Sequence, residues 1–219
     1  MKVMFVEVEY DEKVKLPKTL LEKLPEKVML FTTAQFLKQL DSMKNQIEKT
    51  GKHVLLTMPR HTRHKGQILG CNVQEFIEDF DAFLYIGDGM FHPQALILKN
   101  NKPVFAYDPM TKEEKELSGK DVTALKKRVQ GARAKFFMST EIGVILTTKP
   151  GQSKLQQALK LKERYKKKNF YYLLSSNIDP QSLENFPFIE MYINTACERI
   201  AFDDNDKFLK PVLNMEDIE

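Results

Sequence analysis

Two cysteines are the residues of this chain whose chemistry is easiest to specify. Cys71 follows Gly66-Gln67-Ile68-Leu69-Gly70, and Cys197 stands in Asn194-Thr195-Ala196-Cys197-Glu198. The two are 126 residues apart, so they do not form a Cys-x-x-Cys pair. Each is therefore expected to act as a single thiolate ligand from a separate half of the chain. Two thiolates are one short of the three that would hold a [4Fe-4S] cluster with one open iron.

A basic loop with two histidines precedes the first cysteine, and it offers a different metal. His61 and His64, together with Cys71 and Cys197, have the ligand types of a zinc site. Their spacing matches no compact zinc motif, so a solvated loop is the alternative interpretation. Simple packing is the corresponding alternative for each cysteine, because free cysteine is among the most often buried residue types.

Two further turns could hold a ligand. Two glycines in Gly87-Asp88-Gly89 would let backbone approach a ligand closely, and His92 is expected in extended backbone because a proline follows it. The turn Thr147–Gln152 is expected to lead from a strand into a helix that starts at Ser153. Such a turn exposes N–H groups and the positive helix end, which suit a carboxylate or phosphate. The GxxxxGK[ST] pattern of a P-loop is absent.

Short apolar runs that alternate with helical patterns must position these residues. Strands separated by helices predict parallel pairing with right-handed crossovers, and chemistry in such sheets gathers in loops beyond the carboxyl ends of strands. Strands are predicted over Val28–Thr33, His53–Thr57, Ala82–Ile86, Pro103–Tyr107, Ile142–Thr148, Phe170–Leu174 and Ile189–Ile193. Helices are predicted over Gln35–Lys49, Lys120–Phe136 and Ser153–Lys168, with a short helical turn over Ser182–Asn185.

This order of elements recurs and predicts an internal duplication. Leu30-Phe31-Thr32-Thr33 is echoed by Ile145-Leu146-Thr147-Thr148, and Lys102-Pro103-Val104-Phe105 is echoed by Lys210-Pro211-Val212-Leu213. Both pairs fall at like places in the βα order. The fold class is therefore predicted as α/β, with two tandem small parallel-sheet α/β domains.

The expected boundaries follow from this repeat. Residues 25–119 form the first α/β domain with Cys71, and residues 120–219 form the second with Cys197. The charged segment Met110–Gly119 is expected to connect them. Residues 1–24 fit neither repeat and are expected to be a linker and a remnant strand, Met4–Tyr10, left from a missing first domain.

The bulk composition excludes several classes. A hydrophobic content of 42% and a charged content of 29% fit a soluble globular protein. The net charge of +4 is too mild to indicate nucleic-acid binding, and the basic run Leu159–Lys168 is expected to be a solvated helix face. The apolar runs are too short for a membrane span, and acids interrupt the N-terminal one, unlike a signal peptide. We expect a cytoplasmic protein with no membrane partner and no direct nucleic-acid binding.

Four short sequence segments, in the same order and across roughly the whole chain, resemble the archaeal diphthamide synthase family, the 2-(3-amino-3-carboxypropyl)histidine synthases. The resemblance implies three tandem copies of a small α/β domain, each of which donates one cysteine to a central [4Fe-4S] cluster. The four segments that carry the resemblance are Gly66–Cys71, Tyr85–Pro93, Leu146–Gln152 and Asn194–Ala201.

The resemblance also implies a reaction. The open iron of the cluster binds S-adenosylmethionine, and the C(γ)–S bond is cleaved. The resulting 3-amino-3-carboxypropyl radical adds to a histidine of translation elongation factor 2, the first step of diphthamide formation. Cys71 matches the second-domain ligand and Cys197 matches the third. Loop position suggests further pocket residues: Gly87, Asp88, Gly89, His92, Lys149, Gly151 and Gln152, with Arg199 for a substrate carboxylate or an acidic partner.

Two departures from the family pattern matter. The first domain and its cysteine are absent, which implies a split gene, a truncated paralogue or a cut fragment. A separate chain, or a homo- or hetero-dimer mate, would then supply the third thiolate. Glu198 replaces the proline of the family's Cys-Pro-Arg, which frees a backbone N–H and adds a charge. The favoured hypothesis is a subunit or half of the transferase. The alternative is a non-catalytic accessory paralogue that binds a full-length synthase or elongation factor 2.

Overall fold

The chain folds into two compact units. The structure is a computed structural model and describes residues 8–71, 74–149 and 152–218. The first unit spans Met1–Val122 and the second spans Thr123–Glu219. Among the described residues, no helix has both the length and the apolar character that a membrane crossing requires.

The first unit is built on a five-stranded sheet of order β2-β1-β3-β4-β5. The first four of these strands in that order are parallel, and β5 is antiparallel to β4. One core on each face of the sheet buries its side chains. In chain order the elements are α1 Lys18–Lys23, β1 Lys27–Thr32, α2 Leu40–Glu48, β2 His53–Leu55, β3 Ala82–Ile86, α3 Phe91–Leu98, β4 Val104–Tyr107 and β5 Glu114–Leu117.

The second unit has a four-stranded, all-parallel sheet of order β7-β6-β8-β9. It too has a core on each face. Its elements are α4 Thr123–Met138, β6 Glu141–Thr147, α5 Leu155–Arg164, β7 Asn169–Ser175, β8 Met191–Asn194, α6 Arg199–Asp203 and β9 Val212–Asn214. Short 3-10 helices lie at Gln181–Asn185, Asn205–Lys207 and Met215–Asp217.

The two sheets share one topology, as the repeated sequence segments predict. In each, the first strand of the repeat is central, with the second strand on one side and the third and fourth on the other. The repeated lysines also act alike. Lys102 donates to the carbonyl of Phe80, and Lys210 donates to the carbonyls of Phe186 and Pro187 at 3.0 Å. Each lysine precedes the fourth strand and ties it to the segment that leads into the third. The α/β, parallel-dominated fold is confirmed.

Several local predictions were wrong. The segment Met110–Gly119 was expected to be a connection, but it contains β5. This strand is charged and half-exposed, so it lacks an apolar alternation, and its charges protect the sheet edge. The helix predicted over Gln35–Lys49 is a 3-10 helix over Ala34–Gln39 that continues as α2.

His92 was expected in extended backbone, but it lies inside α3. The proline that follows it, Pro93, sits in the first turn of the helix. Backbone N–H groups in a first turn have no partner within the helix, so a proline there removes no hydrogen bond.

The N-terminal segment packs into the core of the first unit. Residues 4–7 of the predicted strand Met4–Tyr10 lie outside the described residues, and Val8–Tyr10 are not in a strand. Further along, Val14, Leu16 and Leu20 are buried. Two glutamine side chains hold this segment. Oε1 of Gln39 accepts a hydrogen bond from the N–H of Val14 at 2.7 Å, and Oε1 of Gln46 accepts one from the N–H of Leu16 at 2.9 Å.

Candidate functional site

Each cysteine lies on a loop beyond the carboxyl end of a parallel strand. Cys71 is exposed in the long loop between β2 and β3, and Cys197 is half-buried just after β8. Neither forms a disulfide. The loops are not equivalent in the duplicated topology, because one follows the second strand of its repeat and the other follows the third.

Backbone hydrogen bonds anchor the loop that carries Cys71. The N–H of Thr32, at the end of β1, donates to the carbonyl of Gly66 at 2.7 Å, and the N–H of Ile68 donates back to Thr32 at 3.0 Å. The Ile68 side chain is buried. Gly70 lies directly against the ring of Phe91, where an added Cβ would be 1.8 Å from the ring. The cysteine is therefore held beside the start of α3.

The turn between β3 and α3 gathers four of the predicted pocket residues, Gly87, Asp88, Gly89 and His92, around a tyrosine that was not predicted to belong to it. The hydroxyl of Tyr85 donates to the carbonyl of Asp88 at 2.9 Å and lies 3.4 Å from Nδ1 of His92. The rings of Tyr85 and His92 stack with centroids 5.9 Å apart. Gly89 has a φ of +63°, which favours glycine. Gln35 donates to the Asp88 carboxylate at 3.0 Å.

Tyr85 is held in its neutral form. Burial raises the pKa of its hydroxyl far above the usual range, and the nearby negative charges of Asp88 and Asp108 add to the shift. The hydroxyl is therefore a hydrogen-bond donor and acceptor, not a base at neutral pH. The signal for Tyr85 in the sequence was its place just before the Gly-Asp-Gly turn, but its strand position alone predicts only burial.

The turn after β6 contains the other predicted anion-binding residues. The N–H of Lys149 donates to Oγ1 of Thr147 at 3.2 Å, and the N–H of Gln152 donates to the carbonyl of Lys149 at 3.1 Å. Gly151 lies outside the described residues. The following helix, α5, begins at Leu155, two residues later than predicted.

Lys154, at the start of α5, connects this turn to the second cysteine's loop. Its ammonium group forms an ion pair with Glu216 and lies 3.9 Å from the carboxylate of Glu198, the neighbour of Cys197. The charge that Glu198 introduces beside the cysteine is therefore partly balanced within the unit.

A buried pair of asparagines builds the loop around Cys197. Asn194 and Asn214 end the paired strands β8 and β9, and each is 1% exposed. Nδ2 of Asn194 donates to the Cys197 carbonyl at 2.9 Å and to Oδ1 of Asn214 at 2.7 Å. Nδ2 of Asn214 donates to the carbonyl of Glu198 at 3.1 Å. Sequence analysis missed Asn214, because its partner lies twenty residues earlier and only the strand register brings them together.

The side chain of Arg199 is buried and pairs with a carboxylate of its own helix. Its side chain is 4% exposed, and Nε donates to the Asp203 carboxylate at 2.6 Å, one turn later in α6. The guanidinium thus fixes the short helix that follows Cys197. Its contact with a substrate carboxylate stays a prediction.

The thiols suit a soft metal centre but do not complete one. Thiolates are the ligands that iron–sulfur clusters require, and each unit presents one on an anchored loop. Within residues 8–71, 74–149 and 152–218, no group of three or more His, Cys, Asp or Glu side chains is arranged to hold a metal ion. His61, His64 and Cys71, which all lie in the first unit, are therefore not grouped as a three-ligand metal site.

Fold and site together define a duplicated parallel α/β protein that presents one loop cysteine from each repeat. The model of the family described as "diphthamide synthesis protein" matches residues 1–219, and the chain belongs to this family. The "2-(3-amino-3-carboxypropyl)histidine synthase" of Pyrococcus horikoshii is 32% identical over 91% of this chain and 58% of the relative. Subunit 1 of that synthase from Kluyveromyces lactis is 30% identical over 96% of this chain and 51% of the relative.

Solved structures agree with the family match. The crystal structure of Dph2 from Pyrococcus horikoshii with a 4Fe-4S cluster matches 96% of this chain and 63% of that chain, with a TM-score of 0.79 and 29% identity. A second crystal structure of the same protein matches with a TM-score of 0.78 and 31% identity. The chain therefore spans between half and two thirds of the length of each of these four matched chains.

Proposed function

We propose that this chain is a subunit or half of a cytoplasmic [4Fe-4S] transferase that makes the first intermediate of diphthamide. In this reaction S-adenosylmethionine is cleaved at its C(γ)–S bond, and the 3-amino-3-carboxypropyl group is transferred to a histidine of translation elongation factor 2. The observation that carries the proposal is one anchored loop cysteine in each unit of a chain in this family.

Cys71 and Cys197 are the proposed ligands of the cluster. When bound, such a cluster supplies one electron and an open iron for the sulfonium cosubstrate. The protein supplies orientation. The asparagine pair fixes the backbone on both sides of Cys197, and the contact between Gly70 and Phe91 fixes the approach of Cys71.

The remaining proposed residues surround the cosubstrate. The ammonium of Lys149, with Gly151 and Gln152, would receive the carboxylate of its amino acid portion. Gly87, Asp88, Gly89 and His92 are the proposed contacts of the cosubstrate in the first unit. There the Tyr85 hydroxyl holds the turn through Asp88 and lies beside the imidazole of His92.

The sequence has two cysteines, so the proposed cluster needs a third thiolate from outside these 219 residues. We propose that a partner supplies it, either a separate polypeptide or a dimer mate. The C(γ)–S cleavage takes up one electron and leaves the sulfur with its methyl and adenosyl groups. Methylthioadenosine is therefore the product to measure, and 5′-deoxyadenosine is not expected.

The test is anaerobic turnover of the chain with S-adenosylmethionine and a strong reductant, with and without elongation factor 2, after reconstitution with iron, sulfide and a small thiol that can serve as the third ligand. Wild-type protein is expected to release methylthioadenosine, and Cys71→Ser and Cys197→Ser are expected to abolish it. Lys13→Ser, a change of an exposed residue remote in sequence from both cysteines, is the control and should retain activity. Equal product from wild type and both cysteine variants would overturn the proposal.

The missing thiolate favours one second candidate, a non-catalytic accessory subunit. Such a subunit would bind a full-length synthase or elongation factor 2 without turnover. It predicts that diphthamide formation in cells survives Cys71→Ser and Cys197→Ser but fails when the chain is deleted. The transferase proposal predicts failure in all three cases.

A further inference from the structure

Charge is distributed very unevenly along the second unit. Residues 123–168 contain thirteen Lys and Arg but only two acids, whereas residues 169–219 contain three Lys and Arg and ten acids. The small net charge of the whole chain, +4, hides this polarity.

The fold places the two basic helices on one face of the sheet, although Met215 and Ile218 of the acidic half pack on that face as well. Helices α4 and α5 pack through Ala132, Phe136, Ala158 and Leu161 on the face that also buries Val144. The opposite face carries the 3-10 helix Gln181–Asn185 and helix α6, through Leu183 and Ala201. The basic residues of α4 and α5 therefore share one layer, and α6 and the 3-10 helix lie behind the sheet.

The two basic helices are joined directly. The rings of Phe136 in α4 and Tyr165 after α5 lie 5.0 Å apart. Lys168 donates to the carbonyl of Phe136 at 2.6 Å and to that of Phe137 at 3.2 Å. Burial lowers the pKa of Lys168. This lysine closes the end of α4 and ties it to the segment that follows α5.

Not every cation of this layer is available to a partner. Arg128 pairs with Asp206 at 2.8 Å, Lys154 pairs with Glu216, and Lys168 binds backbone carbonyls. Six others have exposed side chains on the outer surfaces of the two helices or the loop after α5. This basic face consists of Lys127, Arg133, Lys160, Lys162, Lys166 and Lys167.

We propose that the basic face binds the phosphodiester backbone of nucleic acid, with double-stranded RNA as the form to test. Helix α4 has 16 residues and is therefore about 24 Å long. Along one strand of B-form DNA, which has a phosphate about every 3.4 Å, that length faces about seven phosphates. Five of the six cations are lysines, whose flexible ammonium groups contact phosphates without selecting a base sequence.

An extended polyanion fits this surface better than an acidic peptide or a membrane. The cations are spread over two helices, so a ligand must offer negative charge at regular intervals over the whole surface. The acidic residues of the 3-10 helix Gln181–Asn185 and of α6, which lie behind the sheet, would disfavour the approach of a polyanion from that side. This inference does not depend on the cluster or on the proposed reaction.

The test measures binding of the full chain to a short fluorescent RNA duplex by anisotropy at several salt concentrations. If six cations contact phosphates, the slope of log K against log salt is about −5, which is a loss of about 10³ in affinity between 50 and 200 mM salt. The variant Lys127→Glu, Lys160→Glu, Lys162→Glu should lower the affinity at low salt at least tenfold and reduce the slope by about half.

The matched control reverses three exposed lysines of the first unit, Lys13→Glu, Lys18→Glu and Lys49→Glu, with the same change in net charge. It should bind RNA within about twofold of wild type. The neutral variants Lys127→Gln, Lys160→Gln and Lys162→Gln repeat the test if the reversals unfold the unit, which thermal melting would reveal.

Three results would overturn the proposal: no binding to RNA at low salt, equal weakening by both triple variants, or tighter binding to polyglutamate or phosphatidylserine vesicles than to RNA. The second would mean that only net charge matters. The third would assign the face to an acidic protein or a membrane surface. None of these results bears on methylthioadenosine formation, so the two proposals fail separately.

Discussion

The loop around Cys197 should lose its order when Asn214 is shortened. Asn214→Ala removes an acceptor for Asn194 at 2.7 Å, a donor to the Glu198 carbonyl at 3.1 Å and a donor to the Asp217 carboxylate at 3.3 Å. All three contacts form at a side chain that is 1% exposed. At about 1 kcal/mol each, their loss amounts to about 3 kcal/mol. That is about a 100-fold increase in local opening.

Hydrogen exchange measures this opening directly. The amide of Ala196 donates to Oδ1 of Asn194 at 3.1 Å, and the amide of Thr195 donates to the carbonyl of Ile145 at 3.1 Å. Both amides should exchange about 100-fold faster in Asn214→Ala, up to the limit set by unfolding of the whole unit. Amides of β3, in the other unit, should not change.

The control is Asn185→Ala. Asn185 is exposed and makes one hydrogen bond, to the Ser182 carbonyl at 3.1 Å. Its removal should alter exchange at Ala196 less than about threefold, since exposed substitutions change stability by about 0.5 kcal/mol or less. If Asn214→Ala leaves Ala196 as protected as the control does, the asparagine pair does not position the cysteine loop.

Three further predictions follow from local geometry. Gly70→Ala should force the Phe91 ring aside and reduce iron incorporation at Cys71. Adding Phe91→Ala to the same chain should restore iron incorporation. If it does not, the contact between Gly70 and Phe91 does not position Cys71. Gly131→Ala, in an open position of α4, should raise the free energy of unfolding of its unit by about 0.5–1 kcal/mol in urea titration, and a decrease would show an unseen contact. Backbone N–H groups of Glu141 and Thr140 donate to the Glu190 carboxylate and lower its pKa. The stabilisation of the fold by this carboxylate is therefore present above the ordinary glutamate pKa and is lost as pH falls through the lowered value. Glu190→Gln should make the unfolding midpoint depend less on pH over that acid range, and an unchanged pH profile would contradict this.

Much of the fold could be predicted from the periodicity of apolar residues and from the repeated sequence segments. The strand Ala82–Ile86 was predicted with its observed bounds, because all five of its side chains are buried and apolar. The edge strand β5 could not be predicted, since Glu114-Lys115-Glu116 has neither an apolar run nor an alternation. Its pairing with β4 depends on a neighbour rather than on its own sequence.

The candidate site was predictable only where a single residue carries its chemistry. The thiols of Cys71 and Cys197 belong to that kind. The residues that position the cysteine loops could not be predicted in this way. Asn214 contacts Asn194 only because of the register of strands β8 and β9. The basic face was missed for the same reason: periodicity indicates the exposed side of α5, but it cannot show that α4 lies on the same side of the sheet.

The central claim is that Cys71 and Cys197 are ligands of one iron–sulfur cluster. The most direct test is anaerobic reconstitution with iron and sulfide in the presence of a small thiol, which can serve as the third ligand. Iron and acid-labile sulfide per chain would be measured for wild type, Cys71→Ser and Cys197→Ser. The account predicts a cluster in wild type and its loss in each single variant. Equal iron in wild type and either variant, or zinc that is lost on His61→Ala, would contradict it.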